Sequence, residues 1–510
     1  MSSQPNVLFI ISDQHNAKVL GHAGHPTVRT PNLDRLAAEG VRFTRAISQS
    51  PICTPARVSY FSGQYVHNHG YYGLGGPNPE GLPTMLGHFR RFGYRTAAVG
   101  KIHCPEYWVE DDCDFFREVC DCSIGGCGEY TAHLAERGLL DKRDDLAYPE
   151  FGPRGRQSCD ARPSEIPYED SPEGWVVRQV MHFMGRCADE GKPFIVQASL
   201  PKPHQIYSPA KEFWEMYDED DLVLPPNADY DMAAAGKAPH LRAAAERWRK
   251  GEWALFEPRT FEAARLRKLH GYLGCVSHMD HAVGELLDWL DDAGLAEDTI
   301  VIYCADHGDY ACEHGNMEKA PGICSDAITR VPFLWRWPGH FAAGHVVEQI
   351  VEQVDLPTTL CALCDLEPME TSDGADLSEL LAGGHEPVHH VGVTEFAWSK
   401  SLRRDNYRLV YYPPQMFPDQ YPDGFGELYD LEADPWEMKN LYLDPDYADL
   451  ACELRGELLD WLVTTSRPGT VLPMPPLEGW QFRHRHGASV NSDNKFSPRW
   501  LRHLRGKNYL

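Results

Sequence analysis

The chain has 510 residues, enough to bury a large core and to divide into two domains. Hydrophobic residues make up 42% of it and aromatic residues 11%, a composition that excludes wholesale disorder. The formal net charge of -27 argues against nucleic acid or an anionic membrane as the main partner, because both would be repelled.

The N-terminal segment predicts a buried strand and no targeting signal. The apolar run at residues 7–11 follows no basic segment, and it is too short for the core of a signal peptide or for a membrane span. The 15 cysteines are expected to be reduced thiols, because no secretion signal accompanies them. These features predict a cytoplasmic protein.

Strand and helix patterns alternate through the first two-thirds of the chain. Residues 30–40 predict a helix, with Thr30 as N-cap, a proline at the first helical position and a closing glycine. Further strands are predicted at residues 94–99, 194–200 and 299–305. This alternation predicts an α/β fold with a large, mostly parallel sheet between layers of helices. Ligands gather at the carboxyl ends of the strands in such sheets, and Asp13 and Asp306 lie just beyond two of those ends.

Breaks in the pattern predict the domain limits. Irregular, Pro- and Gly-rich sequence between about residues 105 and 170 indicates long loops that shape a pocket. A second break at residues 372–387 closes a catalytic domain predicted over residues 1–375.

The remaining sequence predicts a smaller domain and an arm. Hairpin strands at residues 408–412 and 426–431, followed by a helix at 447–462, predict an α+β domain with an antiparallel sheet over residues 376–465. Residues 466–510 are expected to form a C-terminal arm that reaches over another surface or subunit. A homo-oligomer, either a dimer or a tetramer, is therefore expected.

Cys53 is the candidate reactive residue. Pro55 places Cys53 at the N-terminus of a predicted helix, where free backbone N–H groups and the helix dipole favour negative charge. A thiol in that position has a lowered pKa and is reactive. A buried structural cysteine is the alternative, and the residues that follow Cys53 decide against it.

The run Cys53-Thr54-Pro55-Ala56-Arg57, with Ser62-Gly63 after it, resembles the signature of the type I sulfatases of the alkaline phosphatase superfamily. Other blocks similar to those of the family occur in the same order along nearly the whole chain, at residues 6–14, 30–42, 100–103, 201–204, 305–308, 330–332, 337–339, 428–431, 434–435 and 440–441. The resemblance implies an alkaline-phosphatase-like fold and the hydrolysis of organic sulfate monoesters, as in arylsulfatases. It also implies that Cys53 is oxidised to formylglycine, whose hydrate is the nucleophile, so that a formylglycine-generating maturation enzyme is an expected partner.

The same resemblance implies one divalent metal ion. The positions that match the ligands of the family are Asp13, Gln14, Asp306, His307 and the modified Cys53. Calcium is the usual ion of sulfatases. Gln14 and His307 stand where the commonest sulfatases have an Asp and an Asn, so manganese or magnesium is also compatible with this set.

Five residues match positions that act on the substrate. Arg57, Lys101 and Lys319 match the basic groups around the nucleophile and the sulfate oxygens, where their charge would stabilise the transferred group. His103 matches the residue that contacts the formylglycine hydroxyl. His204 matches the general acid that protonates the leaving alcohol, a task that suits the pKa of an imidazole.

Two other functions are compatible with the sequence. Phosphonate monoester or phosphodiester hydrolysis is the alternative within the fold, because relatives with Asp-Gln and Asp-His metal pairs include such enzymes, and choline sulfatases share the Asp-Gln start. Lys101 and His103 favour sulfate, since the phosphonate and phosphodiester hydrolases tend to lack both. A non-catalytic anion-binding protein, in which Cys53 stays a thiol, belongs to another class; the intact set of basic and metal-ligating residues argues against it.

Two further groups of cysteines have simpler explanations. Cys120, Cys122 and Cys127 lack the spacing of a zinc knuckle, which favours a thiol-rich loop. Cys361 and Cys364 have the spacing of a redox motif, but they lie on an apolar helical segment, which favours packing.

Overall fold

A computed structural model describes residues 4–74, 81–105, 107–119, 128–143, 161–250, 260–319, 323–396 and 399–467. Two predicted features lie outside these residues: the thiol-rich loop at residues 120–127 and, from residue 468 onward, the C-terminal arm.

The described residues form two sheets with helices around them. The strands are β1 (Asn6–Asp13), β2 (Val41–Ile47), β3 (Arg95–Gly100), β4 (Phe115–Glu118), β5 (Phe194–Pro203), β6 (Thr299–Ala305), β7 (Phe333–Arg336), β8 (His345–Glu352), β9 (Gly392–Phe396), β10 (Ser399–Arg404), β11 (Tyr407–Tyr412) and β12 (Phe425–Asp430). The helices are α1 (Pro31–Glu39), α2 (Cys53–Ser62), α3 (Val66–His69), α4 (Met85–Arg91), α5 (Gly128–Glu136), α6 (Pro172–Glu190), α7 (Lys211–Trp214), α8 (Pro239–Arg249), α9 (Phe261–Asp292), α10 (Asp326–Thr329), α11 (Asp355–Leu363), α12 (Ser378–Leu381) and α13 (Ala448–Thr465).

The larger sheet has eight strands in the order β4-β3-β5-β1-β6-β7-β2-β8. The central strand β1 pairs in parallel with β5 and β6, and β3 pairs in parallel with β4 and β5. Only β7, between β6 and β2, runs antiparallel to its neighbours in this described sheet. The predicted large, mostly parallel sheet is confirmed, and so are the strands predicted at its centre.

Both faces of the larger sheet are buried. Leu8 and Ile10 pack into a core with residues of α6 and α9, whereas Val7, Phe9 and Ile11 pack into a core with residues of α2 and α11. Successive side chains of a strand point to opposite faces, so a strand with helices on both sides is apolar throughout. This explains why β1 is a continuous apolar run and not an alternating one.

The predicted helix at residues 30–40 is α1, with Thr30 at the N-cap position. Its hydroxyl makes no capping bond, because it accepts from the Gly21 backbone N–H at 2.8 Å and donates to the Asp34 carboxylate at 3.2 Å. The proline at the first helical position, whose φ already suits a helix, begins α1 without that cap.

The smaller sheet is antiparallel, with the order β12-β11-β10-β9, and α13 packs on it. The predicted smaller α+β unit is confirmed. Leu380 and Leu381 of α12 belong to the core under the larger sheet, and Val388 still packs against it. The domain limits 1–375, 376–465 and 466–510 remain predictions from the sequence.

The cysteines of the described residues form no disulfide bond with one another. Cys361 and Cys364 are buried in the core that contains α11, which confirms the packing interpretation. Among the described helices, none combines the length and the apolar character needed to cross a membrane.

Candidate active site

Two carboxylates meet where the central strands of the larger sheet end. Asp13 is the last residue of β1, and Asp306 directly follows β6. Ser12 pairs with Ala305 in the parallel ladder, so the register places the two aspartates side by side. Both side chains are fully buried. A parallel sheet therefore delivers the predicted pair to one edge.

Cys53 is the first residue of α2, as predicted. The preceding residue, Ile52, is extended with a φ of -135°, and the ten residues of the helix are all buried. The Cys53 Sγ lies 3.3 Å from His307 Nε2 and 4.0 Å from Asp13 Oδ1. Burial raises the pKa of the Cys53 thiol, but nearby positive charges, Lys319 foremost, hold it well below its usual value. The position favours a negative charge on this side chain.

Four of the five predicted metal ligands lie close together. The ligand atoms of Asp13, Cys53, Asp306 and His307 are all within 4.8 Å of one another. Ligand bonds of about 2.0 to 2.6 Å place opposite ligands of one ion roughly 4 to 5 Å apart. The cluster therefore has the size of a site for a single cation.

The tautomer of His307 supports the same interpretation. Its Nδ1 lies 2.9 Å from the Gly308 carbonyl, which can only accept, so Nδ1 carries the proton. Nε2 is therefore the ring nitrogen that faces the cluster, 3.7 Å from Asp306 Oδ1 and 3.9 Å from Asp13 Oδ1. Burial lowers the pKa of His307, but Asp306 in particular raises it above the usual value. Two carboxylates and an imidazole that together attract positive charge fit a divalent cation.

Gly308 fixes the backbone behind His307. A Cβ at this position would lie 1.9 Å from the Ala327 carbonyl oxygen. The Gly308 N–H donates to the Ile328 carbonyl at 2.8 Å. The glycine is required because the backbone around α10 passes too close for any side chain.

Arg57 lies beneath the two carboxylates and is fully buried. Its Nε donates to Asp306 Oδ2 at 2.9 Å, and a terminal nitrogen donates to Asp13 Oδ2 at 3.1 Å. The other terminal nitrogen donates to the Lys101 carbonyl and to the Ser199 hydroxyl. The guanidinium thus fixes the orientation of both aspartates at once.

Two lysines bring positive charge to the cluster. Lys101 Nζ lies 2.7 Å from Asp13 Oδ2, and Lys319 Nζ donates to Gln14 Oε1 at 2.7 Å. Burial raises the pKa of Asp13, but Lys101 and the other cations outweigh it and hold that pKa well below the usual range. Burial lowers the pKa of Lys319, but Cys53 and Asp13 raise it above its usual value. Asp13 is therefore ionised, and Lys319 is positively charged.

The two predicted histidines lie on loops next to this cluster. The hydroxyl of Thr54 donates to the His103 carbonyl at 2.9 Å, which ties that loop to the start of α2. His103 Nδ1 is buried and has no hydrogen-bond partner within the described part of the chain. His204 directly follows β5, and its charge is among those that lower the pKa of Asp13. His204 Nδ1 donates to the Gln205 carbonyl at 2.6 Å.

The structure adds three polar residues that sequence reasoning missed: Ser199, Gln205 and Asp309. Ser199 accepts from Arg57, whereas Gln205 and Asp309 both accept from the side-chain amide of Gln14. Each had a signal in the sequence. Ser199 interrupts an apolar strand, and the other two directly follow predicted motifs.

Two family models match the chain. The one described as Sulfatase matches residues 5–366, and the one described as N-sulphoglucosamine sulphohydrolase, C-terminal, matches residues 312–463.

Similar proteins cover almost the same length. The multifunctional alkaline phosphatase superfamily protein PehA of Trinickia caryophylli is 27% identical, over 90% of this chain and 95% of that protein. An arylsulfatase of Clostridium perfringens is 26% identical, over 89% of this chain and 94% of that protein. The crystal structure of a phosphonate monoester hydrolase of Agrobacterium radiobacter is 22% identical and superposes with a TM-score of 0.75, covering 91% of this chain and 96% of that one. The similarity to this crystal structure shows that the two proteins share a fold.

Proposed function

This chain belongs to the sulfatase family and is a sulfuric ester hydrolase, and we propose that it cleaves organic sulfate monoesters at the cluster around Cys53. One observation carries the proposal. The Cys53 side chain begins a buried helix and faces His307 and Asp13, at the edge where the central strands end. We propose that Cys53 is oxidised to formylglycine by a maturation enzyme and is then the nucleophilic residue.

The residues proposed to hold a divalent ion are Asp13, Asp306, His307 and the modified Cys53, whose ligand atoms lie close together, and Gln14, which follows Asp13 in the sequence. When bound, the ion acts as a Lewis acid that offsets negative charge on the sulfate oxygens and the nucleophile. Calcium is expected from the family. Manganese and magnesium are also compatible, because His307 supplies a nitrogen donor and Gln14 carries no charge.

The charges around Cys53 support binding of an anionic ester. Lys101 and Lys319 are the proposed contacts of the sulfate oxygens, where positive charge stabilises the transferred group. Backbone N–H groups at the start of α2 favour negative charge on the Cys53 side chain. Arg57 holds the carboxylates of Asp13 and Asp306 in fixed orientations during the reaction.

His204 is the proposed general acid. Because Nδ1 donates to the Gln205 carbonyl, Nε2 is the nitrogen that delivers a proton to the leaving alcohol oxygen. His103, whose Nδ1 is buried without a hydrogen-bond partner among the described residues, is proposed to assist the release of sulfate.

The experiment that tests the proposal is mass spectrometry of the Cys53 peptide from protein purified from its native host, together with rates on an aryl sulfate. The expected result is formylglycine at position 53 and loss of turnover in the variant Cys53→Ala. An unmodified thiol in fully active protein, or a Cys53→Ala variant with full activity, would refute the proposal.

A second candidate, hydrolysis of phosphonate monoesters, is favoured by Gln14 and His307, which depart from the commonest sulfatase ligands. Lys101 and His103 favour sulfate, because phosphonate and phosphodiester hydrolases of this fold tend to lack both residues. Parallel measurements of kcat/KM on an aryl sulfate and on an aryl phosphonate monoester order the two candidates. A strong preference for the phosphonate would overturn the assignment to sulfate.

The cytoplasmic location and the homo-oligomer expected from the sequence remain predictions. Light scattering on the purified protein distinguishes a monomer from a dimer or a tetramer.

A further inference from the structure

We propose that Asp309 is a positioning residue that fixes the orientation of the Gln14 side-chain amide toward the ion site. The inference rests on the proposed function, since it takes Gln14 as one of the ion's ligands. It adds a residue outside the predicted ligand set, and its effect is on the affinity for the ion.

The hydrogen bonds of the Gln14 side chain are compatible with only one orientation of its amide group. Nε2 lies 2.6 Å from Asp309 Oδ2 and 2.9 Å from Gln205 Oε1, whereas Oε1 lies 2.7 Å from Lys319 Nζ. An ionised carboxylate can only accept, and an ammonium group can only donate. The amide nitrogen therefore faces Asp309, and the carbonyl oxygen, which is the atom that would bind a cation, faces Lys319.

Asp309 is itself held rigidly. It is fully buried, and it accepts four hydrogen bonds. Oδ1 accepts from the backbone N–H groups of Ala311 at 2.7 Å and Glu318 at 3.0 Å, and Oδ2 accepts from Gln14 and from the Tyr207 hydroxyl at 2.9 Å. A carboxylate offers about four acceptor positions, and all of them are used here. The side chain therefore has no alternative arrangement in which it accepts the same donors.

The same carboxylate closes the loop that presents Lys319. Its two backbone bonds join the beginning of the loop at Ala311 to its end at Glu318, and Lys319 is the next residue. Tyr310 N–H donates to the Glu318 carbonyl at 3.0 Å and closes the loop a second time. Asp309 therefore helps to position both side chains of the Lys319–Gln14 hydrogen bond.

An asparagine at position 309 is the matched perturbation, because it keeps the size of the side chain. Its amide nitrogen cannot accept from Gln14, so the Gln14 amide can rotate and direct Nε2 toward Lys319 and the ion. Residues that orient metal ligands typically contribute about 10- to 100-fold in affinity. We expect Asp309→Asn to bind the ion more weakly by about that factor.

The test is calorimetric titration of Mn²⁺ into the metal-free, full-length protein and its variants. Tyr207→Phe is the control, because it removes one hydrogen bond from the same Oδ2 and leaves Gln14 in place; unchanged affinity is expected. Gln14→Glu sets two carboxylates against each other. Gln14→Glu combined with Asp309→Asn is expected to recover affinity relative to Gln14→Glu alone, because the side-chain amide introduced in place of the Asp309 carboxylate can donate to the new carboxylate.

Failure of the proposal for Asp309 and failure of the proposed function give different results. Asp309→Asn with the affinity of the wild type would overturn the proposal, and so would a double variant that binds no more tightly than Gln14→Glu. If circular dichroism shows that Asp309→Asn does not fold, the comparison of the double variant with Gln14→Glu decides the question. A wild-type protein that binds no divalent ion would overturn the proposed function itself.

Discussion

Replacing Arg57 with lysine or with methionine tests whether one buried guanidinium holds the carboxylates of the site in place. Arg57 donates to Asp306 at 2.9 Å, to Asp13 at 3.1 Å, to the Ser199 hydroxyl at 3.0 Å and to the Lys101 carbonyl. A lysine keeps the charge but can reach only one of the two carboxylates. A methionine keeps the volume and removes the charge.

The expected losses follow from these contacts. A hydrogen bond to a charged group contributes about 1.5 to 3 kcal/mol. Arg57→Lys loses at least the bond to one of the two carboxylates, so its free energy of unfolding is expected to fall by about 1.5 to 3 kcal/mol or more. Arg57→Met leaves Asp13 and Asp306 buried without this partner, and breaking a buried pair costs about 3 to 5 kcal/mol.

Urea unfolding of the metal-free protein, followed by tryptophan fluorescence, measures these losses. Arg35→Met is the matched control, because Arg35 also contacts carboxylates, including Asp288 at 2.6 Å, but its side chain is 29% exposed. Exposed ion pairs contribute about 0 to 1 kcal/mol. If Arg57→Met unfolds at the same urea concentration as the wild type, Arg57 does not hold the carboxylates and the reasoning is refuted.

Three other predictions concern the general acid, a buried ion pair and a glycine. His204→Asn is expected to lower kcat about 10²- to 10⁴-fold for alkyl sulfates. The loss should be much smaller for a nitrophenyl sulfate, because its leaving group needs no proton. Equal losses of kcat on the two substrates would exclude the general-acid role. Burial lowers the pKa of His389, but Asp355, 2.8 Å away, raises it to about 9. The pKa of His389 in the folded protein therefore exceeds its unfolded value of about 6.5. The ion pair between His389 and Asp355 should stabilise the fold by at most about 3 kcal/mol below pH 6.5, and this contribution should be lost as the pH rises to 9. Stability curves of His389→Asn and wild type that differ by the same amount at pH 6 and pH 9.5 would contradict this. Gly308→Ala should lower the stability by about 1 to 3 kcal/mol in thermal unfolding, because the added Cβ meets a backbone carbonyl. Gly456→Ala, at an exposed position of α13 with open space for a Cβ, should be neutral or stabilising.

Local patterns in the sequence are sufficient to predict the class of fold and the centre of the site. An apolar run with helices on both sides predicts a buried parallel strand, so the strands that carry Asp13 and Asp306 could be recognised without coordinates. A proline after Cys53 predicts a helix start, and α2 begins there. These features depend on neighbouring residues, which a sequence shows directly.

Contacts between distant residues were decided only by the tertiary structure. Gln14 and Asp309, which are 295 positions apart, meet because the register of β1 and β6 brings their strand ends together. The sequence indicated that Arg57 was functional, but its partners Asp13 and Asp306 follow from how α2 packs against that edge. Cys53 was identified by its own motif, whereas the charges that favour a negative side chain there come from residues such as Lys319, far along the chain. Strand register and helix packing set these distances, and neither is encoded in any short segment.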